Sequence, residues 1–164
     1  MPLEPQDQRH LEAARGYTQL GMYEDATAEL ETIDPFCRAL PEVLEVRLEI
    51  YRAMSRWDLM QVVAKSLAQY DPRDPAPVIS LAYATRRAES LAAAKSILEQ
   101  ALERHPNEPI VHYNLACYEC QSGKLDEAKR HLQRAFELQP QCRGMALEDP
   151  DLEPLWDTLK LQFP

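Results

Sequence analysis

Apolar residues recur along this chain at a fixed spacing. Ala26, Met60, Ala94 and Ala128 follow one another at intervals of 34 residues. In each case one residue three positions earlier and others four and seven positions later are also apolar, which gives the one-sided stripe of an amphipathic helix. A period of this length is typical of repeat proteins in which helix pairs stack on one another.

A second amphipathic stripe precedes each of these helices, and a short turn separates the two. Gly21 and Gly123 lie in two of the turns, where a left-handed residue can end a helix. Pro72, Pro106 and Pro140 close three of the units, because the chain must stop being helical there. No segment alternates with period two, so no strand is predicted. The pattern predicts a single domain over residues 1–164 with helix pairs at about residues 7–40, 41–74, 75–108 and 109–142.

The segment 143–164 has a stripe of its own, formed by Leu152, Leu155, Trp156 and Leu159. The sequence predicts that Asp151 caps a helix carrying this stripe, with Pro154 in its first turn. A terminal repeat must hide its outer apolar face from water. We therefore expect a C-terminal capping helix over the fourth unit. A detachable partner-binding helix is the alternative.

The fourth unit, PIVHYNLACYECQSGKLDEAKRHLQRAFELQP, closely resembles the tetratricopeptide repeat in its N-L-A, turn glycine, D-E-A and terminal proline. The third unit also matches well, the second matches through Tyr51, Trp57 and Pro72, and the first is weaker, with Pro35 early and Arg38 in the usual place of the proline. Residues 145–156 also look like the tail that ends such repeat groups in bacterial proteins. The resemblance implies an all-α fold, a right-handed α-solenoid whose first helices line a concave groove that binds a peptide or another protein. It also implies a repeat without catalytic residues.

The composition bounds the partners. The net charge is −9, from 18 Lys and Arg against 27 Asp and Glu, which disfavours nucleic acid and anionic membrane surfaces. No secretion signal and no stretch long enough for a membrane span are found. We therefore expect a cytoplasmic protein with reduced cysteines, which binds a protein or peptide and is a monomer or weak homo-oligomer.

The sequence holds no phosphate-binding, dinucleotide-binding or zinc-protease motif, so no catalytic residue, cofactor or metal is predicted. Cys117 and Cys120 form a C-x-x-C, but no strand precedes it and no second pair follows. Its neighbours on the same helical face, Tyr113, Asn114 and Gln121, are poor metal ligands. We interpret the two cysteines as small groove residues.

The first helices supply the predicted partner-binding residues. Glu42, Glu45 and Glu49 make one part acidic, which disfavours a clamp for the carboxylate at the end of a chaperone. The other part combines aromatic and arginine side chains, a composition typical of protein interfaces. The predicted groove residues are Arg15, Arg52, Ile79, Tyr83, Arg86, Arg87, Tyr113, Asn114 and Cys117. The leading hypothesis is a non-catalytic interaction module; a thiol or metal protein using Cys117 and Cys120, or a self-assembling scaffold, are the alternatives.

Overall fold

The structure, a computed structural model, describes residues 2–162. No strand occurs among these residues. The helices are α1 (Pro5–Gln19), α2 (Tyr23–Thr32), α3 (Pro41–Ala53), α4 (Trp57–Tyr70), α5 (Ala76–Ala88), α6 (Leu91–Arg104), α7 (Pro109–Gln121), α8 (Leu125–Leu138), α9 (Cys142–Ala146), a 3-10 helix over Pro150–Leu155 and α10 (Trp156–Gln162). The predicted alternation of first and second helices is confirmed.

Most turns inside the helix pairs contain a residue with left-handed backbone. Gly21 and Gly123 have φ of +75° and +77°, so both have the left-handed backbone that the sequence predicts. Ser55 occupies the same position in the second pair, with φ of +56°. An L-residue is strained in this region because its Cβ approaches the following carbonyl oxygen. The first, second and fourth helix pairs therefore share one turn geometry, with or without glycine.

The chain divides into two compact units, Met1–Ala88 and Glu89–Pro164. We call these two parts, each larger than one helix pair, unit 1 and unit 2. Unit 1 contains α1–α5 and unit 2 contains α6–α10, so the boundary falls inside the predicted third repeat. The organisation as a single domain stays a prediction. Small and branched apolar side chains of α1, α2, α3 and the loop between α2 and α3 form a core in unit 1: Leu11, Ala14, Ala26, Leu30, Ile33, Cys37, Val43, Val46 and Ile50.

The weak first repeat ends without a proline in the usual place, and Arg38 replaces its function. Helix α2 stops at Thr32, and the Arg38 guanidinium donates to the carbonyls of Ile33 (2.7 Å) and Glu31. Arg38 also pairs with the Glu31 carboxylate at 2.7 Å, and Arg47 binds the other oxygen of that carboxylate at 2.7 Å. The arginine therefore satisfies carbonyl groups that a helix end leaves without partners.

The C-terminal segment folds back onto the other helices of unit 2. Leu152, Leu155 and Leu159 are each at most 3% exposed, and the 3-10 helix packs mainly on α7. Trp156 is only partly buried, and its Nε1 donates to the Ala146 carbonyl at 3.0 Å. Three of the four predicted stripe residues are therefore buried beneath the surface, as a cap requires. Of the predicted capping segment 143–164, residues 163 and 164 lie outside the described residues.

The predicted start of this segment is corrected by the structure. Asp149, rather than Asp151, caps it, because the Asp149 carboxylate accepts the Asp151 N–H at 3.0 Å. The segment begins as a 3-10 helix, which contains Pro154, and continues as α10 only from Trp156. The helical segment therefore begins two residues earlier than the sequence predicts, directly after Asp149.

Among residues 2–162, no helix combines the length and the apolar character needed to cross a membrane.

Candidate partner-binding surface

The predicted groove residues of α5 form a compact cluster with Trp57. The Arg87 guanidinium lies 3.6 Å from the centroid of the Tyr83 ring and 5.1 Å from that of Trp57. The two aromatic rings meet edge to face, with centroids 5.7 Å apart. Arg87 is exposed and Tyr83 is half-buried. Cation–aromatic stacking therefore fixes an arginine at the surface of unit 1.

Arg52 joins this cluster from α3. Its guanidinium lies 5.8 Å from the Tyr83 ring centroid and donates to the Ser80 hydroxyl at 3.0 Å. Ile79 and Arg86, one helical turn to either side of Tyr83, are half-buried. The structure thus brings Arg52, Tyr83 and Arg87 together, as the sequence predicts for neighbouring groove positions.

A second recess lies between α1 and α3 of the same unit. It has a volume of about 220 Å³ and is lined by Arg15, Gln19, Glu45, Val46 and Glu49. Its charged side chains are exposed. Glu49 precedes Arg52 by about one helical turn, so both lie on the same side of α3. We call the surface formed by this recess and the Arg52–Tyr83–Arg87 cluster the unit 1 strip.

The predicted groove residues of α7 are in a different situation. Tyr113 and Cys117 are 5% and 3% exposed, because the chain's own C-terminal segment covers them. The Tyr113 hydroxyl donates to Asp149 Oδ2 at 3.0 Å, and the Cys117 thiol lies 3.6 Å from the same oxygen. Burial, together with the nearby Cys117 and Asp149, raises the pKa of Tyr113 well above its usual range. The structure therefore covers these two side chains with the chain's own C-terminal segment, and partner binding by them stays a prediction.

Asn114 also has a more restricted role than expected. Its side-chain amide donates to the Ile110 carbonyl at 3.0 Å, within its own helix, and the residue is half-buried. One of its two N–H donors is therefore already used.

The C-x-x-C of α7 has neighbours that local spacing could not reveal. The Cys117 sulfur and carboxylate oxygens of Asp149 and Asp151 lie within 4.8 Å of one another. Asp149 already accepts the Tyr113 hydroxyl and the Asp151 N–H, so its oxygens serve the cap. Burial raises the pKa of the Cys120 thiol, and the nearby Asp151 and Asp149 raise it further. A raised pKa opposes formation of the thiolate that metal binding and redox chemistry require.

Two residues of these surfaces were not predicted from the sequence. Trp57 was placed only in the apolar column at the start of α4, although its ring also meets Tyr83 and Arg87. Asp149 was overlooked because its contacts with α7 span more than 30 residues of sequence. The D-P pair at residues 149–150 is a helix-start signal that could have identified Asp149 as the cap.

Comparisons with known proteins agree with the helix-pair architecture. Residues 85–147 match the family model described as tetratricopeptide repeat. No curated protein sequence matches the chain. The thermophilic TPR protein TTC0263 of Thermus thermophilus is 21% identical, with a TM-score of 0.65 over 94% of this chain and 99% of that one.

Two further solved structures share the fold. MamA of Desulfovibrio magneticus RS-1, from residue 41 onwards, is 16% identical, with a TM-score of 0.72 over 82% of this chain and 76% of that one. YrrB, described as a TPR protein with an unusual peptide-binding site, is 16% identical, with a TM-score of 0.66 over 82% and 69%. The predicted all-α fold of tetratricopeptide-type repeats is confirmed, and residues 85–147 are recognisable as tetratricopeptide repeat sequence.

Proposed function

We propose that this chain is a non-catalytic interaction module that binds a segment of a protein partner on the unit 1 strip. The observation that carries this proposal is the exposed Arg87, stacked 3.6 Å from the Tyr83 ring centroid beside Trp57. Aromatic and arginine residues held in place at a surface are the residue types that dominate interface energies. Their order before binding lowers the entropy cost of forming a complex.

The chemistry of the strip indicates what the partner segment carries. Stacking occupies the flat face of the Arg87 guanidinium, and the N–H groups at its edge point along the plane of the group, where a carboxylate can bind. Tyr83 and Trp57 offer apolar area beside it. We therefore infer an apolar anchor next to an acidic group.

The other part of the strip favours the opposite charge. Glu45 and Glu49 line the recess between α1 and α3, with Arg15 as the one basic side chain among its lining residues. A basic residue of the partner fits there better than an acidic one. Opposite charge preferences at the two parts of the strip set the direction of the bound segment.

The family supports an interaction role. Tetratricopeptide scaffolds are generally non-catalytic and bind proteins or peptides, and the solved structure of YrrB is described as having a peptide-binding site.

The thiol or metal hypothesis has one observation in its favour, the closeness of Cys117 to Asp149 and Asp151. Zinc analysis of protein purified without chelators tests it: one zinc per chain, lost in a Cys117→Ser, Cys120→Ser variant, would establish that function instead.

The binding proposal is tested by selecting peptides from a random library on the full chain and measuring their affinity by fluorescence anisotropy. We expect selected peptides to pair an acidic with an apolar residue. Tyr83→Ala and Arg87→Ala should each weaken binding by about 1–3 kcal/mol, or roughly 5- to 150-fold. Arg73→Ala is the matched control, because Arg73 is exposed in the same unit but bonds only Asp71 among its observed contacts.

Retention of full affinity by a chain carrying both Tyr83→Ala and Arg87→Ala would place the site elsewhere. Circular dichroism of each variant checks folding. Neither change should unfold the chain, because Arg87 is exposed and Tyr83 is only half-buried.

A further inference from the structure

The C-terminal segment contacts α7 through a regular series of side chains. Tyr113 and Cys117 meet the Asp149 carboxylate, and one turn further along, Gln121 Nε2 donates to the Asp151 backbone carbonyl at 2.9 Å. We call residues 149–162 the tail. We call the surface of α7 formed by Tyr113, Cys117, Cys120 and Gln121 the α7 face.

The α7 face occupies the same repeat positions as the exposed surface of α5. Tyr113, Cys117 and Gln121 follow Ile79, Tyr83 and Arg87 by one period of the repeat. The α5 positions are half-buried or exposed, whereas Tyr113 and Cys117 are buried by the tail. The tail therefore lies where a first helix of this chain otherwise offers a surface for contact.

The tail has the properties of a bound peptide. Its 3-10 helix has six residues and α10 has seven, both too short to be stable without the surface beneath them. Pro150 and Pro154 restrict the free segment and so reduce the entropy that docking costs. The Gln121 amide holds a backbone carbonyl, a contact that depends on the path of the chain and not on its side chain.

Three leucines anchor the tail. Leu152, Leu155 and Leu159 are at most 3% exposed and follow the Asp149 cap at intervals of three, three and four residues. The recognised chemistry is thus an acidic cap that accepts the Tyr113 hydroxyl, followed by leucines on one side of a short helix. This pattern resembles the spaced anchors with which amphipathic helices bind grooves.

We propose that the α7 face is a peptide-binding surface whose resident ligand is the chain's own tail, and that the same tail sequence supplied in trans exchanges with it. The inference concerns unit 2 alone and does not rest on partner binding by unit 1. It requires that the tail be released without unfolding of α7 and α8.

Hydrogen exchange of the full chain tests the release. Amides of residues 152–160 should exchange at least about tenfold faster than buried amides of α7 and α8, because local opening precedes global unfolding. Equal protection of the tail and of these helices would show that the tail is an inseparable part of unit 2 and would overturn the proposal.

A synthetic peptide of residues 147–162 tests the exchange. The Leu155→Ala full chain, with its own tail weakened, should bind the peptide at least about tenfold more tightly than the wild type, because the resident ligand competes less. Adding Tyr113→Phe should weaken peptide binding by about tenfold through loss of the bond to the Asp149 carboxylate. A peptide carrying Leu155→Asp is the control and should not bind.

Three results would overturn the proposal. They are equal peptide affinity for the wild type and the Leu155→Ala chain, an affinity that Tyr113→Phe leaves unchanged, and global unfolding of the Leu155→Ala chain by circular dichroism.

Discussion

Helices α5 and α7 hold equivalent places in the repeat but have different surroundings. Tyr83 and Arg87 of α5 stack on one another at the surface. Cys117 and Gln121, one period later, contact the tail. The difference teaches that repeat position specifies the direction of a side chain, whereas its exposure depends on what the rest of the chain places over it.

The two helices also differ beneath the surface. Gln61 donates to the buried Thr85 of α5 at 2.9 Å, and one period later Lys95 binds the buried Glu119 of α7 at 2.6 Å. The same contact between a second helix and the following first helix is thus neutral in unit 1 and charged in unit 2. Glu119 is 3% exposed, and its Oε2 has no hydrogen-bond partner within the described part of the chain, although the Lys124 ammonium lies 4.0 Å away.

The largest effect is expected where the tail covers α7. Leu155→Ala should lower the free energy of unfolding by about 2–5 kcal/mol, because a large buried side chain is removed and a cavity remains. Urea denaturation followed by circular dichroism measures it. Leu161→Ala, at a residue 81% exposed, is the control and should change stability by less than about 0.5 kcal/mol. Similar values for the two variants would contradict the burial of Leu155 against the rest of unit 2.

The second-largest effect is expected at the ion pair between Lys95 and Glu119. Lys95→Gln should cost about 2–3 kcal/mol because it leaves the buried Glu119 carboxylate without its close cation. The double variant Lys95→Gln, Glu119→Thr copies the Gln61–Thr85 pair of unit 1 and should recover most of this loss. Lys124→Gln, at 4.0 Å, is the control and should cost little. The single variant Glu119→Thr completes the comparison. If the losses in unfolding free energy of Lys95→Gln and Glu119→Thr simply add in the double variant, Lys95 and Glu119 do not act as a pair.

A third equivalent pair predicts a smaller, pH-dependent effect. His10 bonds Glu29 at 2.7 Å in unit 1, and two histidines, His112 and His131, replace that pair in unit 2, with their Nδ1 atoms 3.3 Å apart. The Pro106 carbonyl accepts from His112 Nε2 at 2.9 Å, which leaves His112 Nδ1 to accept from His131 Nδ1–H. Burial and the neighbouring His112 lower the pKa of His131 from its usual value of 6.5.

The direction of the pH effect on stability follows from the lowered pKa of His131. As the pH falls below about 6.5, the unfolded chain binds a proton at His131 that the folded chain does not yet bind, so stability falls and levels off below the folded-state pKa. His131→Glu, which copies the His10–Glu29 pair, should remove this loss, because the group that binds the extra proton in the unfolded chain is no longer present. Thermal unfolding of both proteins between pH 7.5 and 5 measures it, and parallel curves would contradict the assignment.

The smallest effect concerns the turns. Ser55→Gly should raise stability by about 0.5 kcal/mol, because glycine adopts a positive φ without strain, as Gly21 and Gly123 do. Ser55→Ala keeps the strain and should give no gain. A loss of stability in the glycine variant would show that strain at this turn is negligible.

The sequence predicted the features that repeat and missed those that occur once. The 34-residue spacing located the four helix pairs and the Gly21 and Gly123 turns, because these depend on local backbone and on neighbouring helices. It also placed Arg52, Tyr83 and Arg87 on one surface. The burial of Tyr113 and Cys117 could not be predicted from spacing, since it depends on a tail that returns to α7 from more than 30 residues away. The start at Asp149 was missed because a 3-10 helix does not follow the 3.6-residue period.

The burial of all four cysteines makes the chain its own reporter of local opening. A thiol reagent can modify a buried cysteine only while the structure around it is open. Cys37 lies in the core of unit 1, Cys117 and Cys120 lie under the tail, and Cys142 is the first residue of α9. Labelling by a thiol reagent, resolved by mass spectrometry, therefore reports separately how readily three regions of the native chain open, without the introduction of any new cysteine.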